Sequence, residues 1–162
     1  MIMTEESAKV LQKLMALCSR GEKCESEAYD YMLRKGATED EAALAVEYLV
    51  ENKYVDNKRY ARFFVADKLR FNKWGKTKIV TQLKIKKISS EDIEDALQES
   101  YSESDEKDLI SEELAKKLRV LTKYPKPKIW EKLMRFAISR GYQYNNVKPL
   151  IDNLLGDLEN DI

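Results

Sequence analysis

Apolar side chains return at every third and fourth position along almost the whole chain, which predicts α-helices rather than strands. The stretch Glu5 to Arg20 carries Val10, Leu11, Leu14, Met15 and Leu17 at that spacing, with Gly21 just past its end. A second stretch, Ser26 to Lys35, carries Tyr29, Met32 and Leu33 and stops at Gly36. A third starts at Thr38, where Thr-Glu-Asp-Glu supplies a hydroxyl cap and an acid three residues on. It continues through Ala42, Ala45, Val46 and Leu49.

This three-helix pattern returns twice. Residues 88–97 match residues 37–46 at an offset of 51, so that Ile93, Ala96 and Leu97 take the places of Ala42, Ala45 and Val46. At a further offset of 54 the same places hold Val147, Leu150 and Ile151, and Gly141 corresponds to Gly36. Self-similarity at such a period predicts tandem helical modules that share core with their neighbours. The expected fold is all-α, with three three-helix repeats over residues 1–52, 53–104 and 105–162. Pro125 and Pro127 should separate the first and second helices of the third repeat. The final stretch, from Gly156 to Ile162, is expected to fray.

The composition fits this picture. Of the 162 residues, 43% are hydrophobic and 36% charged, against about 25% charged in an average domain. There are only five glycines and three prolines. No apolar run reaches the ~20 residues that span a bilayer. The acidic start lacks the basic-then-apolar order of a signal peptide, so a cytoplasmic location is expected.

The chain has no histidine, which removes Ser-His and Cys-His nucleophilic pairs, the usual general base and the commonest metal ligand. Its two cysteines, Cys18 and Cys24, cannot complete a zinc site and are read as reduced thiols near a helix–helix turn. No phosphate-binding glycine loop or paired-carboxylate motif is present, and Glu39, Asp40 and Glu41 sit where acids complement a helix N-terminus. No catalysis, metal or cofactor is expected.

The formal net charge of zero conceals strong zoning. Residues 56–88 hold 11 basic and 2 acidic side chains, and residues 116–149 hold 10 basic and 1 acidic. Between them, residues 89–115 hold 1 basic and 11 acidic side chains. A partner on residues 56–88 would feel that block more than the average, because exposed charges are screened beyond about 8 Å. Alternatively, the acidic block folds back and neutralises its neighbours.

Tyr54 to Ser89 carries the most specific pattern. Tyr54-Val55-Asp56 is followed by Arg59-Tyr60-Ala61, a basic run from Lys68 to Lys73, Gly75, Lys78-Ile79, Leu83 and Lys86-Lys87-Ile88. This order resembles the signature of the RecX family of bacterial recombination regulators. Two positions depart from it: Asn57 stands where the family usually has a second acid, and Lys87 where it usually has glycine. The second departure implies strain if that position needs a positive φ. The resemblance implies tandem three-helix units in an elongated, curved array. It also implies a non-enzymatic regulator that binds the RecA recombinase, especially its filament on single-stranded DNA. Such a protein restrains recombinase, ATPase and co-protease activity, and so acts in homologous recombination, DNA repair and the SOS response. A monomer without membrane contact is expected. A stand-alone helical nucleic-acid-binding module is the alternative, although no recognition helix with clustered Asn, Gln and Arg is visible.

On a helical wheel from Lys58 to Lys73, Tyr60, Phe63, Phe64 and Phe71 fall on one side and are assigned to the core. Arg59, Arg62, Arg70 and Lys73 fall opposite. With no acid at i±4 apart from Asp67 near Arg70, they are expected to point outward unpaired. Lys68 extends this zone, and Lys76, Lys78, Lys84, Lys86 and Lys87 continue it along the next helix. Trp74, at the joint, is either a packing plug or a partner-contact surface. These eleven residues form the candidate surface for a recombinase filament or for DNA phosphates read without sequence preference. The second basic block, Lys116 to Lys148, would supply a second place of contact.

Overall fold

The computed structural model describes residues 2–160. Among them are nine α-helices and no strand: α1 Glu5–Arg20, α2 Glu25–Arg34, α3 Glu39–Glu51, α4 Asn57–Asp67, α5 Lys76–Ile85, α6 Ser90–Ser100, α7 Glu103–Leu121, α8 Lys126–Ser139 and α9 Tyr144–Asn160. A π-helical turn, Lys68–Asn72, follows α4. Pro125 caps α8, and Pro127 lies in its first turn, where a missing N–H leaves no helical bond unmade. Of the stretch expected to fray, residues 156–160 continue α9, and residues 161 and 162 lie outside those described.

The repeat appears in the backbone bonds themselves. Each second helix ends in a left-handed residue: Gly36 at φ 100°, Lys87 at φ 61° and Gly141 at φ 95°. The next residue closes the turn with a bond back to the helix. Ala37 N–H donates to the Met32 carbonyl at 3.0 Å, Ile88 to Leu83 at 3.1 Å and Tyr142 to Ala137 at 3.1 Å. These three Schellman corners satisfy the end carbonyls of α2, α5 and α8 in one way. They stand at the sequence offsets of the repeat, and Lys87 occupies the position whose strain was anticipated.

The third helices are also built alike. Thr38 caps α3 in a box with Glu41. Ser89 Oγ accepts from the Asp92 N–H at the start of α6. Ala42 and Ala45, Ile93 and Ala96, and Val147 and Ile151 are all buried. Glu41 has a second task. Its Oε2 accepts from the N–H and hydroxyl of Thr4, at 2.9 and 3.0 Å, which ties the cap of α1 to the start of α3.

The chain forms two compact units. The first comprises residues up to Phe64 together with Leu83–Ala96, around a core that includes Leu14, Met32, Ala42, Leu49 and Val55. Buried Cys24 and half-buried Cys18 are free thiols in this unit, and burial raises both above their ordinary range. The second comprises Val65–Gln82 and the residues from Leu97 onward, around Ile110, Leu114, Ile129, Leu133, Val147 and Ile151.

Two expectations for the middle repeat are corrected. Lys58 to Lys73 is not a single α-helix: the Lys73 N–H bonds to the Lys68 carbonyl, and Lys73 itself is left-handed at φ 57°. A π-turn takes one more residue to close each bond than an α-turn and so rotates the following face away from the wheel. The aromatic side is buried only at Tyr60 and in part at Phe64. Phe63 is 58% exposed and Phe71 70%, whereas Tyr60, Ala61 and Val65 are buried. The small residues Ala61 and Val65 set the inward face of α4, which leaves Phe63 outside it. The π-turn then carries Phe71 outward.

Candidate functional site

The candidate residues divide between the two units. In the first, Arg59 is a clamp rather than an unpaired surface cation. Its Nε lies 2.9 Å from both carboxylate oxygens of Glu22, and its Nη2 reaches the carbonyls of Lys53 and Tyr54 at 3.3 and 3.4 Å. Lys86 pairs with Glu27 at 3.3 Å, and its carbonyl accepts from the Ser26 hydroxyl at 2.6 Å. Arg62, Lys84 and Lys87 are exposed. Lys58 meets the acidic block through Asp95 at 3.7 Å.

The second unit holds Lys68, Arg70, Lys73, Trp74, Lys76 and Lys78. Its main feature is the fixation of the backbone from Asn72 to Gly75. The Asn72 carbonyl accepts from Arg140 Nη1 at 2.8 Å, the Lys73 carbonyl from the Tyr142 hydroxyl at 2.9 Å, and the Trp74 carbonyl from the Tyr101 hydroxyl at 2.5 Å. The Gly75 N–H donates to the Arg140 carbonyl at 2.7 Å. Burial, reinforced by Glu106, pushes both phenols well above their usual range, which keeps the protons they donate. Four successive residues are thus held by three side chains and one main-chain bond.

Gly75 is required by space. A Cβ there would lie 2.5 Å from the Gly141 carbonyl oxygen and 2.7 Å from its carbon. Two glycine corners, one before α5 and one after α8, therefore meet backbone to backbone. The Lys76 N–H, first of α5, is taken by Glu106 Oε1 at 3.1 Å.

The side chains on this scaffold are cations arranged around rings. Trp74 is half-buried, with Lys78 Nζ 4.3 Å and Lys68 Nζ 5.0 Å from its ring centroids. Lys78 Nζ also donates to the Ser139 carbonyl at 3.0 Å. Arg140 lies 5.0 Å from the Phe136 ring, which Lys117 approaches at 5.5 Å. Exposed Arg70 lies 5.3 Å from the ring of exposed Phe71. Stacking of this kind holds long cationic side chains in place without neutralising them. The two basic blocks of the sequence are thus joined within this unit through Lys78, Ser139, Arg140 and Asn72. Phe71 and the two tyrosines were not among the expected site residues, and Lys117 and Arg140 were expected only as members of the Lys116 to Lys148 block. Gly141 was recognisable as a corner, but its contact with Gly75 leaves no local trace.

Residues 56–97 match the family model for the second three-helix domain of RecX. The chain is 30% identical to a regulatory protein RecX of Clostridium perfringens strain 13 over 152 residues, covering 93% of this chain and 70% of the relative. It is 36% identical to that of Clostridium botulinum strain Eklund 17B over 134 residues, or 82% of this chain and 62% of the relative. The chain therefore spans about three fifths of the length of some curated relatives it matches, the Clostridium tetani protein among them at 61%. A crystal structure of regulatory protein RecX superposes with a TM-score of 0.80 at 19% identity, over 91% of this chain and 74% of that one. The structure of RecX from Lactobacillus salivarius gives 0.75 at 18% identity, over 93% and 97%. At such identities these two likenesses speak for the fold.

Proposed function

The chain belongs to the RecX family of regulatory proteins, and from that premise we propose that it binds the RecA recombinase, above all as a filament on single-stranded DNA, and inhibits its recombinase, ATPase and co-protease activities. It does so without catalysis of its own, as a cytoplasmic monomer that regulates DNA repair and the SOS response. Among the described residues no helix is long and apolar enough to cross a membrane.

The observation that carries this reading is the joined cationic surface of the second unit. Arg70, Lys117 and Arg140 make no ion pair among the described residues, and Arg70 lies two residues before the backbone held at Asn72 to Gly75. A nucleoprotein filament offers both phosphates and acidic protein surface, and charge complementarity would speed encounter and fix register. In this reading the cations from Lys68 to Lys78 provide the first contact, and the block from Lys116 to Lys148 extends it within the same unit. The division into repeats at 1–52, 53–104 and 105–162 belongs to the same reading and draws support from the three corners at fixed offsets.

The test is recombinase ATPase and strand exchange on single-stranded DNA, with the purified chain added up to saturation. Stoichiometric or lower amounts should depress both. Unchanged rates at saturation would overturn the reading.

A further inference from the structure

A groove in the second unit adjoins the cationic surface at Lys76 and has a different chemistry. It encloses about 640 Å³ between α7, α9 and the start of α5. That volume is within the range of ligand-binding sites. We propose that it binds a short extended peptide segment, acidic in character, from a partner protein. The proposal does not depend on which protein supplies the segment.

One wall is a row of side-chain amides. Asn145, Asn146 and Asn153 of α9 line it, with Gln143 just before the helix. None of the four side chains is engaged by another described residue. An amide offers a donor and an acceptor side by side. One residue of an extended backbone presents the complementary pair. Asn146 and Asn153 stand about 10.5 Å apart along the helix axis, so the two amides are offered to different residues of such a segment. Pro149 lies inside α9 and also lines the groove. It has no N–H, so the Asn145 carbonyl four residues earlier lacks its helical donor. That carbonyl is a further acceptor beside the groove.

The floor is apolar, formed by buried Ile110 and Val147 with half-buried Leu150, and suits one aliphatic side chain. The charges favour an acid. Lys76 and Lys107 line the groove, and its one carboxylate, Glu106, already accepts from the Lys76 N–H. A nucleobase fits less well. The groove's aromatic ring, Tyr142, is only 4% exposed and offers no face for stacking.

The intact, nitrogen-15-labelled chain tests this by NMR. The probe is a blocked pentapeptide of alternating glutamate and leucine. The controls are the same peptide with lysine for glutamate, and a thymidine dinucleotide. The acidic peptide should shift the side-chain amide signals of Asn145, Asn146 and Asn153. Asn146→Ala combined with Asn153→Ala should weaken binding at least about tenfold, and Lys107→Glu about tenfold. These positions are exposed, and an unchanged backbone spectrum checks the fold. If the double variant misfolds, Asn153→Asp keeps the acceptor, loses the donor, and should weaken binding in the same direction. No amide shift at millimolar acidic peptide would overturn the proposal. So would an equal response to the lysine peptide, or a response to the dinucleotide alone.

Discussion

Gly75 and Gly141 meet backbone to backbone, so close that a Cβ on Gly75 would stand 2.5 Å from the Gly141 carbonyl oxygen. The contact fixes where α5 begins relative to the end of α8, and with it the backbone that carries Lys76 and Lys78. The neighbouring Gly75 N–H bond to the Arg140 carbonyl, at 2.7 Å, is possible only at this approach. A glycine embedded in basic residues is therefore a requirement of packing within the second unit.

Gly75→Ala should accordingly destabilise the protein by about 1–3 kcal/mol, as overpacking against backbone does. Gly156→Ala is the control. Nothing lies within 4 Å of the Cβ it would add in α9, and helix propensity predicts a gain of about 0.5–1 kcal/mol. Urea denaturation of both variants checks the opposite signs.

Lys87 holds the corner that Gly36 and Gly141 hold in the other two repeats, at φ 61°. A left-handed residue with a Cβ costs about 1–2 kcal/mol, and glycine's greater freedom when unfolded returns about 0.5–1 of that. Lys87→Gly should therefore stabilise the fold, by up to about 1 kcal/mol. Equilibrium unfolding with an unchanged m-value is the measurement. A loss of stability would mean that the lysine side chain contributes more than its backbone strain costs.

Much of the fold was legible because helices are local. The span of α1 and the Thr38 cap follow from spacing within a few residues, and the corners at Gly36 and Gly141 follow from the repeat. The departure at Lys87 pointed to a strained corner. What escaped was long-range or depended on phase. Arg59 pairs with Glu22, beyond the i±4 window in which a helical partner is sought. The π-turn at Lys68–Asn72 is set by packing rather than by propensity, and with it goes the exposure of Phe71. Arg140 joins the basic loop only because Gly75 and Gly141 permit the approach.

Glu41 predicts an acid-sensitive tie between α1 and α3. Backbone donors at Thr4 and Thr38 lower its carboxyl from 4.5 to about 2. The folded value is below the unfolded one, so this stabilisation is fully present above about pH 4.5 and fades as the pH falls towards 2. Glu41→Gln should be less stable at neutral pH and should show a shallower loss of stability between those limits. Thermal unfolding across pH 2–6 would reveal it, and parallel curves for the two proteins would refute the assignment.

The cationic surface predicts two separable contributions to partner binding. Arg70 is exposed, makes no ion pair among the described residues and lies beside exposed Phe71, so substitution there disturbs no core. Arg70→Glu with Lys117→Glu should abolish inhibition of the recombinase while helix content stays unchanged. If Arg70 contacts a phosphate, Arg70→Ala should also flatten the plot of log affinity against log salt on single-stranded DNA by about 0.7. If it meets acidic protein instead, inhibition falls while binding to bare DNA is unaltered. Phe71→Ala separates the ring from the charge: lost stacking on an unpaired base weakens binding by about 1–3 kcal/mol without changing the salt slope. Tyr101→Phe and Tyr142→Phe remove donors to the Trp74 and Lys73 carbonyls and leave every cation in place. They should weaken inhibition only through loosening of the loop. If both tyrosine variants inhibit fully while the charge-reversal variant does not, charge alone suffices. Full inhibition by the charge-reversal variant would place the interface outside this surface.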